Sequence, residues 1–349
     1  MTRIPYAASL LLAGAAVALA VQTGSAQSYS RGQNISPAFE GWEENADGTF
    51  FLFGYMNRNW EEEIDVPVGA DNNIQPGGPD QSQPTHFLPR RNRFMFRVRV
   101  PKNFTEKDEM VWTLTTKGKV EKAYATLRTD YKIDDVVIAS ETGSLGAGTS
   151  SPEIRANQRP VVKLEGDKKR SARVGQPLSL VAIVTDDGVP RRRGGAEGAQ
   201  GARGAQGAQG AQGAQGGRGG RGGQQAAADP SNADPGNPVQ GLPGQSRNPA
   251  YNPPSRITVG KANGLHLSWF VYRGSGKVAF DPPQVKVWED TRAGTNSPWA
   301  ALWQPPALPA DNRWTAQATF AEPGTYVLRA RADDGALYAD DEMTVTVTP

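Results

Sequence analysis

The chain has no cysteine, which excludes disulfides and every thiolate-based metal centre. It has only two histidines, His86 and His266. A multi-histidine zinc site is therefore excluded, and a Ser-His-Asp arrangement has just two possible bases. Long apolar runs are nearly absent. The one that exists, Tyr6 to Val21, is short of the roughly 20 residues that span a bilayer. Charge of one sign is lacking as well: 38 basic against 36 acidic residues leave a net of +2. What the chain does have is glycine and proline, 40 and 27 of 349 residues. That load speaks for strands, turns and unstructured linkers and against long helices.

The apolar run has the setting of an export signal. Arg3 supplies a positive start, Tyr6 to Val21 the apolar stretch, and Gly24-Ser25-Ala26 a small-residue cleavage site. Residues 1–26 are thus predicted to be a signal peptide, with a mature chain starting near Gln27 and acting in the periplasm or at the cell surface. No transmembrane segment is expected after cleavage. The length sets a prior of about two domains.

Three regions follow. In 38–150, strand patterns alternate with turns. Asn45-Ala46-Asp47-Gly48 is a turn signal before the aromatic run Phe50 to Asn57. Arg93 to Val100 alternates with Phe94, Phe96, Val98 and Val100 on one face and Arg93, Met95, Arg97 and Arg99 on the other. Met110 to Thr116, Lys117-Gly118 and Lys119 to Leu127 read as a hairpin. A second unit combines 158–188 with 256–349. Leu178, Leu180, Ala182 and Val184 alternate on one strand. Leu265, Leu267, Trp269 and Val271 do so on another, and Tyr326, Leu328, Ala330 and Ala332 on a third; Met343 to Val347 form a last strand. Between the two pieces, 189–255 places glycine at every third position from Gly195 to Gly222 and has no large apolar residue between Pro190 and Val239. Such a segment cannot offset its chain entropy and is predicted to be disordered. Without proline in the triplets a collagen helix is not expected. The segment carries seven arginines and three acids, a net of +4, so the rest of the mature chain is acidic, at about −3. The predicted fold class is all-β: two β-sandwich domains, the second interrupted by a long disordered insertion.

Asn157-Gln158-Arg159-Pro160, Val174-Gly175-Gln176-Pro177-Leu178, Gly324-Thr325-Tyr326-Val327-Leu328, Ala332-Asp333-Asp334-Gly335 and Val345-Thr346-Val347 together resemble bacterial PKD-type immunoglobulin-like domains. The resemblance implies an immunoglobulin-like sandwich, with Trp269 filling the space between sheets and Tyr326 pinning the corner before a late strand. The compact Trp-x-Phe-Gly-Asp-Gly turn of many such domains is replaced by Trp269-Phe270-Val271-Tyr272. The N-terminal part, with Phe39-Glu40-Gly41-Trp42 and Pro84-Thr85-His86-Phe87-Leu88-Pro89-Arg90-Arg91, resembles an uncharacterised family of exported bacterial proteins, which implies no activity.

Several constellations are candidates for chemistry. Asp186, Asp187, Asp333 and Asp334 fall at strand ends, as does the pair Asp340-Asp341. Strand ends gather at the poles of a sandwich, so these carboxylates either form turns or meet to bind Ca²⁺, the single cofactor the sequence suggests. Trp288, Trp299 and Trp303 flank loops and are the candidate glycan-stacking residues, or else an apolar staple on the sandwich. Arg90, Arg91, Arg93, Arg97, Arg99 and Lys102 form a basic stripe, expected to be solvated and paired with Glu61, Glu62 and Glu63 on a neighbouring strand. His86 is expected to pack within a proline-flanked loop and His266 to be exposed opposite the Trp269 face. Gly274-Ser275-Gly276-Lys277 lacks the flanking residues of a phosphate loop and reads as a turn. No pair among 36 acids stands out as a hydrolytic dyad. The favoured function is a non-enzymatic binding or scaffolding protein contacting an envelope protein or glycan, with no nucleic-acid partner. The alternatives are a carbohydrate-active accessory module or weak hydrolase, and a structural envelope component docking on anionic polymers through the basic insertion.

Overall fold

A computed structural model describes residues 31–59, 61–142, 151–191, 258–260, 264–284, 286–288 and 306–349. The signal-peptide expectation, almost all of the glycine-rich insertion, Trp299 and Trp303 lie outside the described residues.

The N-terminal part folds from β1 (Ile35–Asn45), β2 (Gly48–Asn57), β3 (Ile64–Asp65), β4 (Asn72–Gln75), β5 (His86–Phe87), β6 (Arg90–Arg99), β7 (Met110–Thr116) and β8 (Lys119–Ala125). β1-β2-β6 form one antiparallel sheet, β4-β7-β8 a second, and β3-β5 a two-stranded piece. The predicted turns are where the sequence puts them. Asn45 pairs with Gly48, and Asn45 Oδ1 accepts from the Asp47 amide at 2.9 Å. Lys117 and Gly118 both have positive φ, 52° and 72°, the geometry of a two-residue hairpin turn. Between the sheets lies an aromatic core of Phe51, Phe53, Tyr55, Phe87, Phe96 and Trp112. Each such ring removes roughly 150–250 Å² from water, so these six dominate the packing. The Trp112 indole reaches its one polar partner, Asn72 Oδ1, at 3.0 Å.

The C-terminal part is built from β9 (Val161–Leu164), β10 (Lys169–Arg173), β11 (Pro177–Thr185), β13 (His266–Arg273), β14 (Val278–Asp281), β16 (Arg313–Phe320), β17 (Gly324–Asp333) and β18 (Tyr338–Thr348). Two short strands, β12 (Thr258–Gly260) and β15 (Lys286–Trp288), pair with each other in parallel. One sheet runs β14-β16-β11-β9 and the other β10-β18-β17-β13. Counted from the first strand, this is the immunoglobulin arrangement, with the first, second, fifth and fourth strands in one sheet and the third, sixth and seventh in the other. β10 is an extra edge strand, parallel to β18. Leu180, Ala182, Val184, Leu267, Trp269, Val271, Leu328 and Ala330 are buried between the sheets, on the faces that the alternation marked.

Tyr326 pins the corner. Its hydroxyl donates to the Glu322 carbonyl at 2.9 Å, four residues back. The turn that looked superficially like a phosphate loop makes room for this ring: a Cβ on Gly274 (φ +123°) would lie 2.7 Å from Tyr326 Cδ1, and one on Gly276 (φ +95°) 3.0 Å from its hydroxyl. Tyr326→Phe should lower stability by about 1 kcal/mol, the net worth of one such bond, with no change in the m-value of a urea melt.

The structure corrects three expectations and adds two short helices. His266 is 1% exposed rather than solvated, because the N-terminal part covers the outer face of the β13-β17-β18 sheet. Every residue from His266 to Tyr272 is buried, and Phe270 and Tyr272 belong to the N-terminal core. The strict alternation on β6 fails at Phe94, whose φ is +49°, where the β2–β6 register also shifts. Phe94 then packs with Leu52, Ile138, Ile154, Leu337 and Tyr338 between the two parts, while Met95 joins Phe96 and Val98 in the N-terminal core. Arg91, Arg93 and Arg97 of the basic stripe are paired, but by β1 rather than by Glu61–Glu63, and Arg90 is buried rather than solvated. Glu40 contacts Arg91 at 2.5 Å and Arg93 at 3.8 Å, and Glu43 contacts Arg97 at 3.4 Å. The Glu40 carboxylate lies over Gly54, where a Cβ would clash with it; the missing side chain lets β1 reach across β2. Glu62 instead pairs with Lys117 and Glu63 with His86. Two short helices, α1 (Asp135–Thr142) and α2 (Pro152–Ala156), join the two parts. Nothing in the strand patterning announced them.

Candidate functional site

A cleft of about 1090 Å³ opens between the β1-β2-β6 sheet and the outer face of β17-β18. Its walls carry both signs of charge beside apolar surface: Glu43, Arg97, Arg99, Asp135, Arg159, Arg329 and Glu342 with Phe50, Leu52, Val98, Tyr272 and Tyr338. Polar Asn45, Gln81 and Ser82 complete it.

The cleft exists because a ladder of guanidinium groups props the two parts together. Alternation on β17 sends Leu328 and Ala330 inward, so Arg329 and Arg331 emerge on the opposite face, opposite Glu342 and Asp340 of β18. Arg331 is gripped by Asp340 through two 2.7 Å bonds and donates to the Phe94 carbonyl at 3.0 Å. Its guanidinium lies 4.3 Å from the Tyr338 ring centroid. Arg329 donates to the Met95 carbonyl and to Glu342, and its guanidinium sits 3.5 Å from the Tyr272 ring centroid. Both arginines thus satisfy carbonyls of the irregular stretch of β6, groups that would otherwise lie unpaired in a buried place.

A second set of contacts closes the far side. Arg273 holds Asp80 through bonds of 2.9 and 2.8 Å and donates to the Gln83 carbonyl. That guanidinium draws the Asp80 carboxyl down to about 2. The Tyr272 hydroxyl donates to the Ser82 carbonyl, and the Thr85 amide donates to the Tyr272 carbonyl at 3.2 Å. The loop before β5 therefore covers the open edge of β13, which would otherwise offer unpaired backbone groups.

His86 sits beside this seam. Its Nδ1–H donates to Asp65 at 2.7 Å and its Nε2–H to Glu63 at 2.8 Å. Burial by itself pulls the imidazole pKa down, but the bonds to Asp65 and Glu63 outweigh burial and lift it to about 9. An imidazolium with both nitrogens engaged is a clamp between β3 and β5, not a base available to a substrate.

Asp186, Asp187, Asp333 and Asp334 serve turns, whereas Asp340 and Asp341 lie within β18 rather than at a strand end and pair with Arg331 and Lys168. Asp186 Oδ2 accepts from the Gly188 amide at 2.9 Å; Asp187 accepts from the Val189 and Gln158 amides at 2.9 and 3.1 Å. Asp333 accepts from the Gly335 amide at 2.7 Å. Asp334 accepts from the Ala336 and Leu337 amides at 2.6 and 2.7 Å and from Asn157 Nδ2 at 3.1 Å. Burial, with the neighbouring Asp333 charge, pushes the Asp334 carboxyl up to about 7. Among the described residues no group of three or more His, Asp or Glu side chains is placed to hold a metal ion. The backbone of Trp288 lies in β15; Trp299 and Trp303 fall outside the described residues. Sequence reasoning missed Phe50, Arg159, Arg329 and Glu342 as cleft residues. The one available signal was the pattern of alternating charge, Arg329 and Arg331 followed by Asp340 and Glu342, at strand spacing.

No protein-family model matches the chain, and no curated protein matches it at a significant level. Among solved structures it is similar to the S-layer protein rSbsC(31-844), with 6% identity over 90% of this chain and 28% of that one and a TM-score of 0.20. It is similar to the D00-D0 domain of Intimin, with 8% identity over 90% and 100% of the two chains and a TM-score of 0.21. The Yersinia pseudotuberculosis adhesin InvE gives 9% identity over 92% and 61%, with a TM-score of 0.20. The chain thus spans less than a third of the S-layer chain. Likenesses at this level carry no argument; the immunoglobulin-like reading of the C-terminal sandwich rests on its own strand order and on its tyrosine corner.

Proposed function

We infer that this is an exported, non-enzymatic binding or scaffolding protein of the cell envelope, which takes its ligand, a glycan or an extended segment of another protein, in the cleft between its two parts. The PKD-type assignment of the C-terminal sandwich belongs to the same reading and rests on the quoted motifs. The observation that carries the function is the character of the cleft. It is of ligand size, within the range of about 300–1,000 Å³ or slightly above. Its charged groups are held by one another: Glu43 by Arg97 and Arg159, Asp135 by Arg159, Glu342 by Arg329. Mutual pairing of this kind suits a preorganised recognition surface.

The test is a glycan and peptide panel on the mature protein, with product release measured in parallel. The expected result is saturable binding without turnover, abolished by Val327→Trp, which projects into the cleft from the Arg329 face of β17. Hydrolysis of any panel member, lost on substituting a cleft carboxylate, would make the protein an enzyme and overturn the reading.

A further inference from the structure

We propose that Arg97 and Arg99 form an oxyanion fork at the mouth of the cleft and that its ligand is an acidic glycan carrying carboxylate or sulfate groups. The inference rests on the cleft being a binding site and names the chemistry it selects. Both arginines emerge on the same face of β6, two residues apart, and both guanidinium carbons lie over one ring, 4.5 and 4.7 Å from the centroid of Phe50. Sharing one ring keeps two like charges near each other. An oxyanion between them relieves their repulsion and receives planar, bidentate donors.

The seat of Arg99 is built for this position. Its Nη1 donates to the Asp47 carbonyl at 2.6 Å, and Gly48, at φ +129°, leaves the space: a Cβ there would come within 2.5 Å of that nitrogen. Among the described residues no carboxylate pairs with Arg99. Arg97 touches Glu43 at 3.4 Å, but Glu43 is shared with Arg159 at 3.8 Å, and Glu44 is taken by Lys132 at 3.0 Å. The Arg97 side chain is half exposed and Arg99 is exposed, so most of their N–H groups remain available to a ligand.

An acidic glycan fits what lies beyond the fork better than an acidic peptide does. The cleft wall offers both carboxylates and guanidinium groups. Sugar hydroxyls donate to the first and accept from the second, whereas the carboxylate side chains of an acidic peptide only accept and offer nothing to Glu43, Glu44 and Asp135.

The test is calorimetric titration of the mature chain at pH 7 with oligogalacturonate, a sulfated dextran oligomer, a neutral oligosaccharide of equal length, oligo-glutamate and inorganic sulfate. Oligogalacturonate or the sulfated oligomer should bind tighter than the neutral sugar, and more weakly as salt rises; which of the two is tighter identifies the anion. Arg99→Gln should weaken acidic-glycan binding about tenfold or more, the worth of a charge-assisted bond, and weaken neutral-sugar binding by less. Arg97→Gln/Arg99→Gln should abolish the acidic preference. Equal affinity for acidic and neutral sugars, or unchanged acidic-glycan binding in the double variant, would overturn the fork while leaving the cleft as a binding site. Tighter binding of oligo-glutamate would overturn the glycan in favour of a peptide, and sulfate binding as tightly as any glycan would reduce the fork to a free-anion site. Ligands that bind unaffected by Val327→Trp would remove the cleft reading itself. Because both arginines are exposed, thermal melts of the variants should match the parent, which keeps lost binding distinct from lost folding.

Discussion

Replacing Arg331 by methionine should lower the unfolding free energy by about 2–3 kcal/mol, the cost of losing charge-assisted hydrogen bonds and of leaving a buried carbonyl without its donor. Arg331 is 2% exposed. Its loss takes two 2.7 Å donors from Asp340 and leaves the Phe94 carbonyl without its guanidinium donor. It also uncovers the Tyr338 face. Arg331→Met/Asp340→Leu should recover part of the loss, because the carboxylate whose guanidinium partner was removed is then gone as well. If the double variant is as unstable as the single one, the ion pair is not what the penalty measures. Chemical denaturation carries the magnitude. Its shape carries more: if the guanidinium ladder joins the two parts, Arg331→Met should split one transition into two, the less stable half first. A single transition with unchanged slope would mean that the buried contacts of Leu52, Phe94, Ile138 and Tyr338 keep the parts together without it.

The same ladder shows what patterning can and cannot reveal. Period-two alternation placed Leu180, Ala182, Val184, Trp269, Leu328 and Ala330 on inward faces, and the structure buries all of them. Turn chemistry located the Asn45–Gly48 and Lys117–Gly118 hairpins for local reasons. His266 failed because alternation tells only which face a residue shares, not what lies against that face. A strand at the surface of one sandwich becomes central once a second sheet packs on it, and that contact lies some 170–240 residues away in sequence, as in the Arg273–Asp80 and Arg331–Phe94 bonds. β6 failed at Phe94 because a bulge is a backbone event with positive φ at a residue whose type does not call for it. The pairing of Glu40 with Arg91 was hidden for a related reason: it spans an intervening strand and depends on Gly54 being bare. The cleft inherits all three difficulties, since each wall comes from a different part of the chain.

Stability should also fall steadily as pH rises from about 4 to 9, from two groups acting in the same direction. Asp334 titrates near 3.8 when unfolded and near 7 when folded. In that window the folded form holds a proton that the unfolded form has released, so the protein loses stability as pH climbs toward 7. His86 takes over: near 6.5 unfolded and about 9 folded. Its clamp contributes fully below 6.5 and is lost as pH rises through 9. Asp80, drawn down to about 2, works the opposite way, contributing above 3.8 and failing as pH falls through 2. The three together place the stability maximum near pH 4. Asp334 is fully buried, so its part of the decline is the larger, about 4 kcal/mol; His86 contributes about 2, reduced because Glu63 and Asp65 are each more than a third exposed. Asp334→Asn should flatten the segment from pH 4 to 7 and stabilise the protein above pH 7. The two backbone amides still find an oxygen, and Asn157, whose Oδ1 has no hydrogen-bond partner, can turn its amide to accept from the new one. His86→Gln should flatten the segment from 6.5 to 9 and cost stability at pH 5. Melting temperatures of the three proteins at half-unit intervals would decide the matter; a parent curve level between pH 4 and 9 would mean that neither group carries its shifted proton in the folded state.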